Sequence, residues 1–270
     1  MNDQITYNGQ PVNFKVQGSG PWIVLLHGFL ESIEVWNDMA NYLADRFSVL
    51  MIDLPGHGRS GLTGEEQTIQ DMAGTVRAVM AHNSIDRFII CGHSMGGYVS
   101  LEVARELSDK VGGLILFHSH AAPDDDKSKE NRDRTINVVK LNHSNFIQSF
   151  IPEMFAKSNQ EKFKNQIEIL RNRAASTSGK AIISALSAMR DRQGSLDILM
   201  SAAYPILYII GKEDSRMQYD KILAQTMLSE HSECIMLNKV GHMGFIEAPD
   251  KIFPVVKDFC SRNLAVSKID

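Results

Sequence analysis

Ser94 stands in Gly92-His93-Ser94-Met95-Gly96-Gly97, one hydroxyl with a glycine two positions to either side. Arg87-Phe88-Ile89-Ile90-Cys91 before it is a short apolar run of β-formers and reads as a buried strand. After it, Val99, Leu101, Val103, Ala104 and Leu107 carry a mostly buried helix pattern. Gly-x-Ser-x-Gly between a strand and a helix is a nucleophile elbow. Gly92 and Gly96 give the backbone the room such a tight turn needs. A serine hydroxyl is a weak nucleophile until a base takes its proton and an acid orients that base. Asp214 follows the strand run Pro205-Ile206-Leu207-Tyr208-Ile209-Ile210, and His242 follows the run ending at Leu237. In an open α/β sheet, ligands bind beyond the carboxyl ends of strands. Ser94, Asp214 and His242 all fall there, and together they could carry out acyl transfer. Glu213 neighbours Asp214 and is a second candidate for the acid.

Elements that must position these groups are visible along the chain. Residues 3–18 alternate around Asn8-Gly9 and predict a hairpin. Trp22-Ile23-Val24-Leu25-Leu26 is a continuous apolar strand of a parallel sheet. It is followed by a helix with Trp36, Met39, Ala40, Tyr42 and Leu43 on its apolar side. Strands at 47–52 and 113–117, a helix at 69–82 and a closing helix at 249–263 continue the alternation. Such alternation implies an α/β protein with a doubly wound, mainly parallel sheet. Between residues 121 and 200 strand character is lost. Helical patterns run around 136–142, 145–156, 160–174 and 179–190. The organisation expected is a core of 1–120 and 201–270 with an inserted helical cap, or lid, of 121–200.

Composition narrows the function classes. With 43% hydrophobic and 22% charged residues the chain reads as globular. A net charge of −4 offers no basic face for nucleic acid or an anionic membrane. No apolar run approaches the roughly 20 residues that span a bilayer. The start, Met1-Asn2-Asp3-Gln4, lacks a cationic and apolar leader, so no signal peptide is expected. Cys91, Cys234 and Cys260 are odd in number and far apart; Cys91 and Cys234 lie in strand-like surroundings. They are expected to be reduced core residues of a cytoplasmic protein.

Four motifs in this order resemble the α/β-hydrolase fold superfamily over nearly the whole chain. They are His27-Gly28-Phe29, Asp53-Leu54-Pro55-Gly56-His57-Gly58-Arg59-Ser60, the Ser94 elbow, and Gly211-Lys212-Glu213-Asp214 with Gly241-His242. The resemblance implies a capped serine hydrolase that needs no cofactor or metal. It places the acid three residues after Gly211, at Asp214. It implies an oxyanion hole from the backbone N–H groups of Phe29 and Met95. Members with haloalkane dehalogenase or epoxide hydrolase activity usually carry an aspartate nucleophile, and this chain has Ser94 there. The expected substrate is a small or medium carboxylic ester or thioester. A second reading keeps the triad for C–C bond hydrolysis or a menaquinone-pathway-like lyase reaction. There Arg132, Arg134, Arg171, Arg173, Arg190 and Arg192 are candidates to hold substrate carboxylates. A third is a ligand receptor built on a hydrolase fold. Oligomeric state, monomer or homodimer, is open.

The remaining candidates have plainer readings. Asp53, His57 and Arg59 are expected to hold their Gly-Pro loop, and His93 to pack under the elbow. His27 is expected to serve loop structure. His118 and His120 share one side of a strand end and are expected to line or adjoin the pocket. Asp124, Asp125 and Asp126 read as a solvated acidic helix start. His120, Phe146, Phe150, Met154, Leu186 and Met189 are the expected pocket residues, with Ser94 beneath them.

Overall fold

The computed structural model describes residues 3–64 and 66–264. β1 (Asp3–Tyr7) and β2 (Gln10–Gln17) form the expected hairpin. Asn8 and Gly9 take φ values of 48° and 75°, the left-handed pair that matches the twist of two flanking strands. Then come β3 (Trp22–Leu26), α1 (Asn37–Leu43), β4 (Ser48–Ile52), α2 (Ile69–His82), β5 (Phe88–His93), α3 (Met95–Glu106) and β6 (Val111–Phe117). Thr68 and Asp71 cap the start of α2 reciprocally, which fixes where that helix begins. Four helices separate β6 from the next strand: α4 (Asp126–Phe150), α5 (Lys164–Ala174), α6 (Gly179–Asp191) and α7 (Leu196–Ser201). The chain closes with β7 (Ile206–Gly211), α8 (Tyr219–Gln225), β8 (Ser232–Leu237), α9 (Gly244–Glu247) and α10 (Pro249–Asn263).

Among the described residues, eight strands form one sheet in the order β1-β2-β4-β3-β5-β6-β7-β8. Pairs from β4 to β8 are parallel, and β1 and β2 are antiparallel additions at one edge. β4, β5, β6 and β7 are buried along their whole length, as their unbroken apolar runs require. Leu26 lies opposite both Ile52 and Gly92, and His93 lies opposite Phe117. The register therefore brings the loops after β3, β5, β6, β7 and β8 to one edge of the sheet.

Three local expectations are corrected. Tyr42 is 41% exposed rather than core; its ring lies against Phe253 and under the Lys257 ammonium. Cys234 is exposed because β8 is the edge strand and is only half covered, whereas Cys91 and Cys260 are buried; all three thiols are free. The helices expected at 136–142 and 145–156 are one element that starts ten residues earlier, capped by the Asp125 carboxylate on Ser128 N–H. It breaks only at Asn142 (φ −161°, ψ 92°), whose side-chain oxygen accepts Asn145 N–H and restarts the helix. Pro152 then opens a short 3₁₀ turn. Among the described residues, no helix is long and apolar enough to cross a membrane.

Candidate active site

Ser94 is the single residue between β5 and α3, with φ 52° and ψ −115°. A non-glycine residue is held there only when its surroundings over-determine it. Those surroundings are specific. Ser94 N–H donates to Phe117 O at 3.0 Å, and Ser119 Oγ–H donates to Ser94 O at 2.8 Å. A methyl group on Gly92 would collide with the Gly96 carbonyl, and one on Gly96 with the carbonyls of Leu26 and His27. Neither glycine has room for a side chain.

β3 delivers the second backbone segment. His27 accepts Leu54 N–H at Nε2 (2.9 Å) and donates from Nδ1 to Gly28 O (2.7 Å), so it holds the loop. Gly28 N–H donates to Glu31 Oε2 at 2.7 Å. Among the described residues, neither Phe29 N–H nor Met95 N–H donates to another protein group. Met95 opens α3, where the helix end leaves such donors free. Asp53 accepts from Asn13 Nδ2, Ile33 N and Arg59 N, and His57 contacts Pro55 O, so both serve their loop. Burial pushes the His57 imidazole down to about 3, so it stays neutral.

The loops after β7 and β8 carry the acid and the histidine. Asp214 has a carboxylate only 1% exposed. Its Oδ1 accepts Arg216 N–H and Met217 N–H at 2.8 and 3.0 Å. Its Oδ2 accepts His242 Nδ1–H at 2.8 Å and His118 Nδ1–H at 3.1 Å. Burial alone would raise the Asp214 pKa, but His242 and the two imidazole hydrogen bonds outweigh it and hold the carboxyl far below the usual range. Burial lowers the His242 pKa, and Asp214 offsets only part of that. With Nδ1 committed to Asp214, Nε2 is the nitrogen left to exchange a proton. His242 is fixed at its backbone as well: N–H donates to Met154 O (2.7 Å), and O accepts from His93 Nε2–H (2.9 Å). Glu247 accepts Gly241 N–H, Met243 N–H and Ala156 N–H and thereby braces the same loop. Glu213, by contrast, is exposed, and its carboxylate meets Ser158 Oγ at 3.5 Å.

Ser94 and His242 share a cavity of about 280 Å³. Phe29, Phe150, Met154, Leu186 and Met189 form apolar walls, and His120 and Arg132 a polar one. Phe146 does not reach the cavity. It is buried behind the wall, its ring 6.4 Å from Phe29 and 5.1 Å from Phe150. A wider groove of about 770 Å³ runs between α4 and α6 beside the start of α2, but it contains none of Ser94, Asp214 or His242. The smaller cavity is the one that both Ser94 and His242 line.

Several residues sit differently from expectation. Asp124 is not solvated. It is buried, with Oδ2 on Arg132 Nε (2.5 Å) and Oδ1 on Arg192 Nη1 (2.6 Å). Of the six arginines named as carboxylate candidates, Arg132 alone lines the cavity; Arg216, overlooked in the sequence, lines it too. Arg190 pairs with Asp133 and Asp191, Arg173 with Glu34, and Arg171 with Glu168. His118 and His120 diverge because His118 takes φ 46°: the first turns to Asp214 and the second to Tyr98 and the cavity. Burial, reinforced by Arg192, pushes His120 down to about 4. His118, Asp214 and His242 present three potential metal-ligand atoms within 4.8 Å. Both imidazoles, however, direct Nδ1 at the carboxylate, and an ionised carboxylate only accepts, so both nitrogens carry protons. A cation there would have to displace both.

A family profile described as the alpha/beta hydrolase fold matches residues 21–134. The structure superposes on that of a thermophilic esterase from Thermogutta terrifontis with malate bound, at a TM-score of 0.91 and 26% identity, covering 98% of this chain and 100% of that one. The chain has the α/β-hydrolase fold. Over 236 residues the chain is also 24% identical to the 2-succinyl-6-hydroxy-2,4-cyclohexadiene-1-carboxylate synthase of Escherichia coli O7:K1, covering 85% of this chain and 89% of that one. An uncharacterized protein of Mycobacterium bovis is 36% identical over 111 residues, 41% of this chain; the aligned stretch spans about a third (33%) of that relative's length.

Proposed function

We propose that this α/β hydrolase cleaves a small or medium carboxylic ester or thioester through an acyl-enzyme on Ser94. The observation that carries the reading is the 2.8 Å bond from His242 Nδ1 to a buried, ionised Asp214, with His242 facing the same cavity as a serine held at φ 52°. Ser94 Oγ attacks the acyl carbonyl while His242 Nε2 takes its proton. Asp214 keeps His242 in the required tautomer and stabilises the imidazolium that forms. The N–H groups of Phe29 and Met95 receive the oxyanion, each contributing about 3 kcal/mol if they act as such donors do elsewhere. His242 returns the proton to the leaving alcohol or thiol, and water repeats the sequence to release the acid. No cofactor enters these steps. Residues 121–200, with helices α4 to α6 and most of α7, act as a lid over a core of 1–120 and 201–270, and their apolar residues sort acyl chains. The free thiols support a cytoplasmic site of action.

The test is hydrolysis of aryl esters of graded acyl length by the purified protein and by Ser94→Ala. The reading expects turnover by the first and a loss on the order of 10⁴-fold or more in kcat for the second. No turnover across the panel would favour a ligand receptor on this fold.

A second reading, cleavage of a C–C bond or a lyase-type elimination in a carboxylate-bearing substrate, is favoured by Arg132 and Arg216 in the cavity wall. Arg132 reaches Asp124 through Nε, and among the described residues its two terminal nitrogens donate to no protein group. A forked pair of donors suits a carboxylate. The relative named as a carboxylate synthase agrees with that chemistry. Assaying a carboxylate-bearing diketone, which has no ester bond, beside a simple aryl ester separates the two: C–C cleavage of the diketone that is weakened in Arg132→Gln supports the second reading.

A further inference from the structure

We propose that Glu31 and His93 are positioning residues, a buried charge pair that sets the Gly28–Phe29 peptide and the His242 backbone in place around Ser94. The inference rests on the serine-hydrolase reading and extends it. His93 immediately precedes Ser94, and its side chain is 0% exposed, facing a Glu31 carboxylate that is 1% exposed. Its Nδ1 lies 3.0 Å from Glu31 Oε2, and its Nε2 lies 2.9 Å from His242 O. A carbonyl oxygen and a carboxylate oxygen both accept hydrogen bonds, so both ring nitrogens must donate. His93 is therefore an imidazolium, and Glu31 balances it. Glu31 Oε2 also accepts Gly28 N–H at 2.7 Å.

One line of bonds thus runs from Gly28 N–H through Glu31 and His93 to the carbonyl of His242. It joins the loops that follow β3, β5 and β8. Those loops bear one proposed oxyanion donor, the nucleophile and the base. No neutral substitute for Glu31 satisfies all the contacts. In Glu31→Gln, an amide oxygen at the Oε2 position serves Gly28 but leaves neutral His93 one proton short. An amide nitrogen there serves His93 but faces Gly28 N–H.

The surroundings keep the pair dry and charged. Trp36, Phe117 and Phe245 pack edge-on against the His93 ring, at 6.4, 5.8 and 5.0 Å. The titratable groups facing it are Glu31, Asp214, His242 and His118, with His27 on the far side of Glu31. Burial opposes the His93 charge, but Glu31 outweighs it and raises the pKa above the ordinary value. A raised histidine pKa means the charge is present at neutral pH and lost only as pH rises through that value. The imidazolium also lies 4.7 Å, ring to ring, from His242 and lowers the pKa of that base.

The experiment combines ¹⁵N NMR of histidine-labelled full-length protein with kinetics of Glu31→Gln. At pH 8, where a free histidine of pKa about 6.5 is neutral, the wild-type His93 ring is expected to show both nitrogens protonated. In Glu31→Gln that signature disappears. Ester kcat falls by about 10²-fold, as expected for misplacing reacting groups by about 1 Å, with KM within about threefold. The acid limb of the rate profile moves to higher pH as the charge beside His242 is lost. A purely structural role would move neither the limb nor the protonation signature. A neutral His93 ring in wild type at pH 8 overturns the proposal whether or not the variant folds. So does a folded Glu31→Gln with wild-type kcat and limb. A wild type that shows the imidazolium yet turns over no ester would instead overturn the hydrolase reading, and the charge pair would still stand on the spectrum.

Discussion

Asp214 and His242 lie 28 positions apart, on the loops after adjacent strands, and meet at 2.8 Å inside a wall that leaves the carboxylate 1% exposed. The closeness follows from the sheet: Gly211 at the end of β7 lies against the carbonyls of Val240 and Gly241, where no side chain fits. Two backbone amides and two imidazoles saturate Asp214. Asp214→Asn would present an amide that cannot accept on every side, turning His242 toward the wrong tautomer. We expect kcat to fall on the order of 10⁴-fold. Glu213→Gln, altering an exposed carboxylate, should leave kcat within about twofold. The reverse order would move the acid to Glu213.

The pH profile follows from His242. As base it must be neutral, so activity is present above its folded pKa and disappears as pH falls through it. Burial lowers that pKa, with Asp214 opposing and His93 and His118 adding to the decrease. The acid limb of kcat/KM is therefore expected below about 6.5, the value of an unperturbed histidine. Asp214 stays ionised throughout this range. A limb above 6.5 would contradict the environment described for His242.

Gly96 should be intolerant of any side chain. A methyl there meets the carbonyl of His27 at 2.6 Å and that of Leu26 closer still. Backbone cannot yield as a flexible side chain does. Gly96→Ala is expected to lose about 1–3 kcal/mol by overpacking, roughly 2–4 °C in Tm per kcal/mol for a chain of this size. A thermal melt measures it, and an unchanged Tm would show that the elbow is less tightly packed.

The cavity wall and the layer behind it should behave differently. Leu186→Ala and Met189→Ala change the wall itself and are expected to re-rank esters of different acyl length, by about 1–3 kcal/mol in discrimination. Phe146→Ala removes a ring that does not reach the cavity, so it should cost about 3–5 kcal/mol of stability and leave the ranking intact. A panel of kcat/KM values with parallel melts distinguishes the two effects.

The sheet, the elbow and the strand-end residues were legible because each leaves a local mark: an unbroken apolar run for a strand buried on both faces, glycines where backbones touch. Contacts that depend on long-range partners left none. Asp124 reads as one of three acids at a helix start, and only the fold brings Arg132 and Arg192 to it. Glu31, on the loop after β3, and Glu247, at the end of α9, carry no local mark of their roles, yet each accepts backbone N–H groups of the site. The spacing of Glu31 three residues after Gly28 could have signalled the first. The positive φ of His118, which sends it to Asp214 rather than alongside His120, has no sequence signature.

The central claim, that Ser94 is an activated nucleophile, is tested most directly by covalent labelling. The folded protein would be treated with a fluorophosphonate and the modified peptide located by mass spectrometry. The account expects one adduct, on Ser94, that forms slowly as pH falls below the His242 limb and is absent from Ser94→Ala. An adduct that persists in Ser94→Ala, or a folded wild-type protein that takes up no label, would contradict it.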